Sequence, residues 1–248
     1  MERKVPKSIL EDSKYCPGCG HGIINRLVAE VLEEMGLTEK TLCATAVGCA
    51  CWVLEMVGID QVQAQHGRAA AVATGLKRIR PDMCVITYQG DGDASAIGLS
   101  ETIYAAERGE NIVQIYVNNG VFGMTGGQMS PTTLIGQKTT TCVKGRDPEA
   151  NGMPLNLMNM LTTLDVAYAA RGTITNVAEI NKTKKYLKNA IEAELNHEGY
   201  SFVEIVSPCP TNWHLSPVKA MERINDVVLD VYPLGEYVKR DKTRGDKA

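Results

Sequence analysis

Aromatic residues are scarce in this 248-residue chain, with 2 Phe, 2 Trp and 9 Tyr. A basic excess is also missing: 26 Lys and Arg face 29 Asp and Glu, a net charge of −3. Without surplus cations to displace counterions, no nucleic-acid partner is expected. No apolar run approaches the roughly 18 residues a membrane span requires, so no membrane partner is expected either. The opening MERKVPKSIL lacks the apolar core of a secretory signal, which leads us to expect a cytoplasmic protein. Disulfides are therefore not anticipated, and the eight cysteines at 16, 19, 43, 49, 51, 84, 142 and 209 call for another explanation.

What is present is an alternation of apolar strands and amphipathic helices. Ile23, Ile24, Leu27, Val28, Val31, Leu32 and Met35 recur at helical spacing, and Gly36 is a natural stop. Residues 41–47, 83–88, 111–117, 165–170 and 201–205 read as strands. Helices are expected from near His66, over 96–108, over 155–164 and over 177–196. That order predicts an α/β fold, a mostly parallel sheet with helices on both faces. We divide the chain into an N-terminal cysteine-bearing arm (1–20), a main domain (21–215) and a C-terminal helix with a charged tail (216–248). The tail from Lys239 mixes both signs of charge and is expected to be disordered or an interaction arm. Residues 120–154, rich in Gly, Thr and Pro, form a loop too long to be idle in a compact domain.

Ligands of such sheets bind beyond the carboxyl ends of the strands, and the unusual segments fall there. Gly90-Asp91-Gly92-Asp93 follows one strand and opens a helix. Glycines there allow close backbone approach to a phosphate, and a helix N-terminus presents free N–H groups. About 25 residues later, one helix and one strand on, comes Asn118-Asn119. A carboxylate, an amide oxygen and a main-chain carbonyl are hard ligands suited to Mg²⁺. Cys16-Pro-Gly-Cys19 places two thiols on one turn, either a zinc half-site or a redox pair when taken alone. Four-thiolate ligation needs two more; Cys49 and Cys209 are the best placed, with Cys51 competing with Cys49. Cys43 and Cys84 lie in apolar strands and read as core residues.

Gly-Asp-Gly, the spacer and Asn-Asn resemble the signature of thiamine diphosphate (TPP) enzymes. This resemblance implies Mg²⁺ held by Asp91, Asn119 and the Val121 carbonyl, with Gly92 and Asp93 meeting the diphosphate. Six segments together (CPGCGHG at 16–22, VGC at 47–49, HGRAAAVATG at 66–75, GDGD at 90–93, NNGVFGMTGGQMSPTT at 118–133 and SPCPTN at 207–212) resemble the β subunit of a 2-oxoacid:ferredoxin oxidoreductase. The resemblance implies a [4Fe–4S] cluster on Cys16, Cys19, Cys49 and Cys209. It also implies TPP contacts from Val47, Gly48, Cys49, Ala50, His66, Gly67, Arg68, Gly123 and Met124, with His66 and Arg68 as catalytic candidates. The implied reaction converts a 2-oxoacid and coenzyme A (CoA) to acyl-CoA and CO₂, with electrons leaving through the cluster to ferredoxin, and strongly reducing ferredoxin would drive it in reverse. An α subunit would complete the site, since no motif-linked glutamate is evident for the cofactor's pyrimidine ring; γ and ferredoxin-like δ subunits are further expected partners. Some relatives carry a substrate-holding lysine where this chain has Trp52 or Gly126, which favours a neutral, branched-chain 2-oxoacid over 2-oxoglutarate. Two alternatives stay open: a cluster-free TPP decarboxylase or synthase subunit, and a non-catalytic, zinc-stapled nucleotide-binding module.

Overall fold

The computed structural model describes residues 5–240. Nine strands occur: β1 (Thr41–Thr45), β2 (Asp60–Gln63), β3 (Cys84–Gly90), β4 (Val113–Asn118), β5 (Val121–Phe122), β6 (Gln128–Met129), β7 (Tyr168–Thr173), β8 (Ser201–Val206) and β9 (Gly235–Lys239). Seven form one sheet in the order β2-β1-β3-β4-β8-β7-β9, parallel throughout except for antiparallel β9 at one edge. The fold is therefore the α/β arrangement that the alternation of elements predicts. Strands β4, β7 and β8 are buried along their whole length, as strands covered on both faces are.

Helix His21–Glu34 buries Ile24, Leu27, Val28, Val31 and Leu32 along one stripe. It is tied to helix Val177–Leu195 by Lys184, whose ammonium reaches Glu30 and Glu34 at 2.9 and 2.7 Å. Helices Ala69–Ile79 and Leu99–Glu107 pack on each other, and small residues at Ala69, Ala70 and Ala73 allow close seating on the sheet. Before Leu99–Glu107 the chain makes one wide π-helical turn, Asp93–Ile97, a device frequent at functional sites.

Four strands escape sequence reading. Strand β2, with the sequence DQVQ, is largely exposed at the sheet edge and has no apolar alternation. Strands β5 and β6 form a two-residue hairpin inside the 120–154 loop. Strand β9 joins β7 where a charged tail is expected: Lys239 pairs with Tyr168, and the Arg240 guanidinium bonds the Glu198 carbonyl and Asp165. The sheet therefore extends further along the chain than the expected C-terminal boundary, because β9 pairs by main-chain bonds that carry no sequence signature. The rest of the tail, and residues 1–4 of the N-terminal arm, lie outside the described residues.

The largest fully buried side chain is that of Arg171 in β7. Its guanidinium donates to Glu204 Oε2 (2.8 Å), Asn156 Oδ1 (2.8 Å), the Tyr237 hydroxyl (2.9 Å) and the Pro233 carbonyl (3.2 Å). It also lies 5.3 Å from the ring centroids of Tyr232 and Tyr237. A buried charge of this kind is tolerated only when paired and fully hydrogen-bonded.

Candidate functional site

Register brings four strand ends level. Thr45 pairs with Tyr88, Gly90 with Val117, and Asn118 with Val206. The segments that follow β1, β3, β4 and β8 therefore emerge side by side at one sheet edge. Beside those that follow β1, β3 and β4 lies an open cleft lined by Val47, Gly48, Cys49, Ala50, His66, residues 90–93, Asn119, residues 121–125 and His21.

Asp91 is 1% exposed. Its Oδ1 accepts from the Gly92 N–H at 2.9 Å, and its Oδ2 accepts from the Ser130 hydroxyl at 2.7 Å and from the Thr132 hydroxyl. Burial nevertheless raises its pKa to about 6, against the opposing hydrogen bonds from Thr132, Ser130, Gly92 and Gly120. Among the described residues no lysine, arginine or histidine pairs with it. Asn119 is also buried, and its Oδ1 accepts from the Val121 N–H at 3.1 Å. Behind it, Asn118 donates to Glu204 Oε1 at 2.8 Å, which links this turn to Arg171. The Trp213 indole N–H donates to the Asn119 carbonyl at 3.0 Å.

Asp93 takes a different role from its neighbour. Its Oδ1 accepts from His66 Nδ1 at 2.5 Å and from the Gly67 N–H at 2.8 Å, and its Oδ2 accepts from Gln89 at 2.7 Å. The carboxylate is thus spent within the protein, although Asp93 still borders the cleft. A carboxylate can only accept, so Nδ1 of His66 carries the proton and Nε2 is left as the reactive ring nitrogen. Gly67 is essential to this arrangement. Its φ is +78°, and a Cβ there would lie 2.7 Å from the Gly98 nitrogen. Gly92 leaves room for a protein group, since a Cβ on it would strike the Phe122 ring at 2.3 Å. Gly48, with φ +91°, turns the chain from β1 back toward the cleft.

Arg68 stands at the margin: its side chain is half exposed, pairs with Glu101 at 2.6 Å and is not among the residues that line the cleft. The Glu101 carboxylate, one helix away, draws the guanidinium outward.

Cys16, Cys19, Cys49 and Cys209 gather beside the cleft. Each of the six pairs among them is close enough for one thiolate's charge to raise the pKa of the other. Burial is the larger cause, and together the two effects push Cys19 and Cys49 up to about 12. Burial likewise raises Cys209, which accepts from the Asn212 amide at 3.3 Å. A Cβ on Gly123 would lie 3.2 Å from Cys49 Sγ and 3.8 Å from Cys209 Sγ, so both sulfurs face the same small space. Cys51 is raised by burial and by Glu55 and feels Cys16, Cys19 and Cys209 less than Cys49 does. Among the described residues, no three His, Cys, Asp or Glu side chains converge tightly enough to hold a single metal ion. Cys43 and Cys84 are buried in β1 and β3, away from this group.

Several cleft residues carry no sequence signal of their own. Ser130 and Thr132 lie in a quoted motif, but nothing in it announces that they clasp Asp91. His21, beside the cysteine turn, borders the cleft and bonds the Tyr88 hydroxyl at 2.7 Å; burial lowers its pKa to about 4, which keeps the ring neutral.

The thiamine pyrophosphate enzyme, C-terminal TPP-binding domain family matches residues 47–205. Ketoisovalerate oxidoreductase subunit VorA of Methanothermobacter thermautotrophicus is 46% identical over 199 residues; the match covers 80% of this chain and 42% of that protein. The chain thus spans less than half the length of this relative. The 2-oxoacid:ferredoxin oxidoreductase subunit beta of a Sulfolobus species is 31% identical, covering 91% of this chain and 75% of its own length. A solved structure of 2-oxoglutarate:ferredoxin oxidoreductase from Magnetococcus marinus, with 2-oxoglutarate, coenzyme A and succinyl-CoA bound, superposes with a TM-score of 0.82 at 28% identity, covering 97% of this chain and 87% of that one. Among the described residues no helix is long and apolar enough to cross a membrane. The matches in sequence and in fold agree, and the chain belongs to the TPP-binding enzyme family, among the β-type subunits of the 2-oxoacid:ferredoxin oxidoreductases.

Proposed function

We propose that this chain is the cofactor-bearing subunit of an enzyme that converts a 2-oxoacid carboxylate, CoA and two oxidised ferredoxins to acyl-CoA, CO₂, a proton and two reduced ferredoxins. The observation that carries this reading is the juxtaposition, at one sheet edge, of a buried carboxylate without a counter-cation among the described residues and four neighbouring thiols.

Both groups of donors fit the cofactors this reading requires. Asp91, the Asn119 amide oxygen and the Val121 carbonyl would hold Mg²⁺ together with diphosphate oxygens, and a cation there would relieve the burial penalty on Asp91. Among the described residues the four cysteines do not converge on a site for a single metal ion. They suit a polynuclear iron–sulfur centre, which spreads the thiolate charge over several irons. When bound, thiamine diphosphate supplies the carbanion equivalent that opens the 2-oxo carbon, and the cluster supplies one-electron exits. The chain's own residues do the rest. Asp93 and Gly67 fix His66 so that its Nε2 can accept or return a proton in the cleft. Val47, Ala50, Phe122 and Met124 give the cleft apolar walls. Gly48, Cys49 and Gly123 line the cleft and would hold the cofactor there.

The substrate we propose is a branched-chain 2-oxoacid. No Lys or Arg borders the cleft among the described residues, so a second carboxylate has no counter-ion in this chain. Lys14 lies 5.9 Å from the Trp52 ring centroid, but it is engaged by Glu11 and Glu55. No glutamate borders the cleft either, which supports an α subunit as the source of that group. Acyl-CoA formation should be absent from the isolated chain and restored by the co-purified partner, with 2-oxoisovalerate turned over faster than pyruvate or 2-oxoglutarate. Exclusive use of 2-oxoglutarate refutes the substrate assignment, and turnover by this chain alone refutes the need for a partner.

A further inference from the structure

Asn212 stands where the two proposed cofactor sites meet. Its side-chain amide donates to the Gly123 carbonyl at 3.0 Å and to Cys209 Sγ at 3.3 Å. Both partners are acceptors, so the NH₂ group, not the oxygen, must face them. The main-chain N–H of Asn212 also faces the Cys209 sulfur. Gly127 makes room for this amide: a Cβ there would lie 2.8 Å from Asn212 Oδ1. Gly123, held by this amide, borders both the cleft and the sulfurs of Cys49 and Cys209. Cys19 and Cys49 receive main-chain donors only; Cys209 alone of the four has a side-chain donor among the described residues.

We propose that Asn212 is a positioning residue that tunes the reduction potential of the cluster through the Cys209 sulfur while fixing the Gly123 turn against the cofactor cleft. The inference rests on the iron–sulfur reading above. Its physics is simple: reduction adds negative charge to a cluster, part of that charge resides on the ligand sulfurs, and an N–H aimed at a sulfur stabilises it. Removing the amide therefore disfavours reduction. The main-chain N–H remains in any variant, so the ligand is retained while its potential changes.

The test is an anaerobic redox titration, followed by electron paramagnetic resonance, of the purified complex carrying wild type, Asn212→Ala or Asn212→Asp. Both variants should retain iron and titrate at a more negative potential. About a tenfold loss in the reduction constant corresponds to ~59 mV for a one-electron couple, and the aspartate, an acceptor facing a sulfur, should shift further than alanine. A variant that holds the cluster at the wild-type potential overturns the proposal, as does loss of iron from both variants, which would make Asn212 an assembly residue. Absence of iron from the wild type defeats the underlying reading instead, so the two failures are distinguishable.

Discussion

Asp91 and Asp93 are two residues apart, both buried, and fill different offices because of what surrounds them. Asp93 is saturated by His66, Gly67 and Gln89. Asp91 is held by hydroxyl and main-chain N–H donors and lacks a cation. Asp91→Asn should therefore weaken Mg²⁺-dependent TPP binding by about a hundredfold or more, the scale of a lost charge-assisted contact to a metal, and leave iron content unchanged. Calorimetric titration and metal analysis on the same sample check both halves; wild-type TPP affinity in this variant removes Asp91 from the proposed metal site. Asp93→Asn should act differently, retaining Mg²⁺ affinity while lowering turnover of the complete enzyme, because the amide cannot hold His66 in one tautomer as a carboxylate does. Equal losses of metal affinity in the two variants contradict that division of labour.

At the scale of elements, the 120–154 loop shows how a segment without periodicity is ordered. Arg146 is buried and surrounded by carbonyls: its guanidinium reaches Pro131, Thr133, Met153 and Gly152 at 2.7–2.8 Å, and Asn151 and Ser130 at 3.3 and 3.4 Å. Three of those carbonyls, of Ser130, Pro131 and Thr133, belong to the turn whose Ser130 and Thr132 hydroxyls clasp Asp91, and the other three to the 151–153 segment, so Arg146 ties the two together. Arg146→Gln leaves several of them unsatisfied and should cost about 2–4 kcal/mol in chemical unfolding, with faster hydrogen exchange over residues 130–153. Unchanged exchange there shows that the loop is ordered by other contacts. None of this is legible in the sequence, where Arg146 reads as one more loop cation. By contrast, helix His21–Glu34 and the central strands are legible because one stripe or the whole strand is buried, and burial writes itself into residue choice. The edge strands β2 and β9 are exposed, so main-chain pairing holds them without leaving such a pattern.

Across the whole molecule, the candidate site was more legible than its supports. Glycines and cysteines at strand ends are costly residue types to place by chance, so the segments around Asp91, Asn119, Cys49 and Cys209 stand out in the sequence, and strand register brings them together. The layer behind them, Glu204 and Arg171 in β8 and β7, is hidden because a buried ion pair inside an apolar strand looks like an interruption of it. Arg68 is equally illegible: the sequence places it beside a motif, but not the Glu101 carboxylate on the neighbouring helix that pairs with it. The central claim is that four sulfurs from three separate segments hold an iron–sulfur cluster beside the TPP cleft. Its most direct test is iron and acid-labile sulfide analysis of anaerobically purified protein, wild type beside Cys209→Ser and Cys84→Ser. The account predicts about four iron and four sulfide per chain with broad absorption near roughly 400 nm, lost in Cys209→Ser and kept in Cys84→Ser. A colourless wild-type protein that carries zinc or no metal contradicts it.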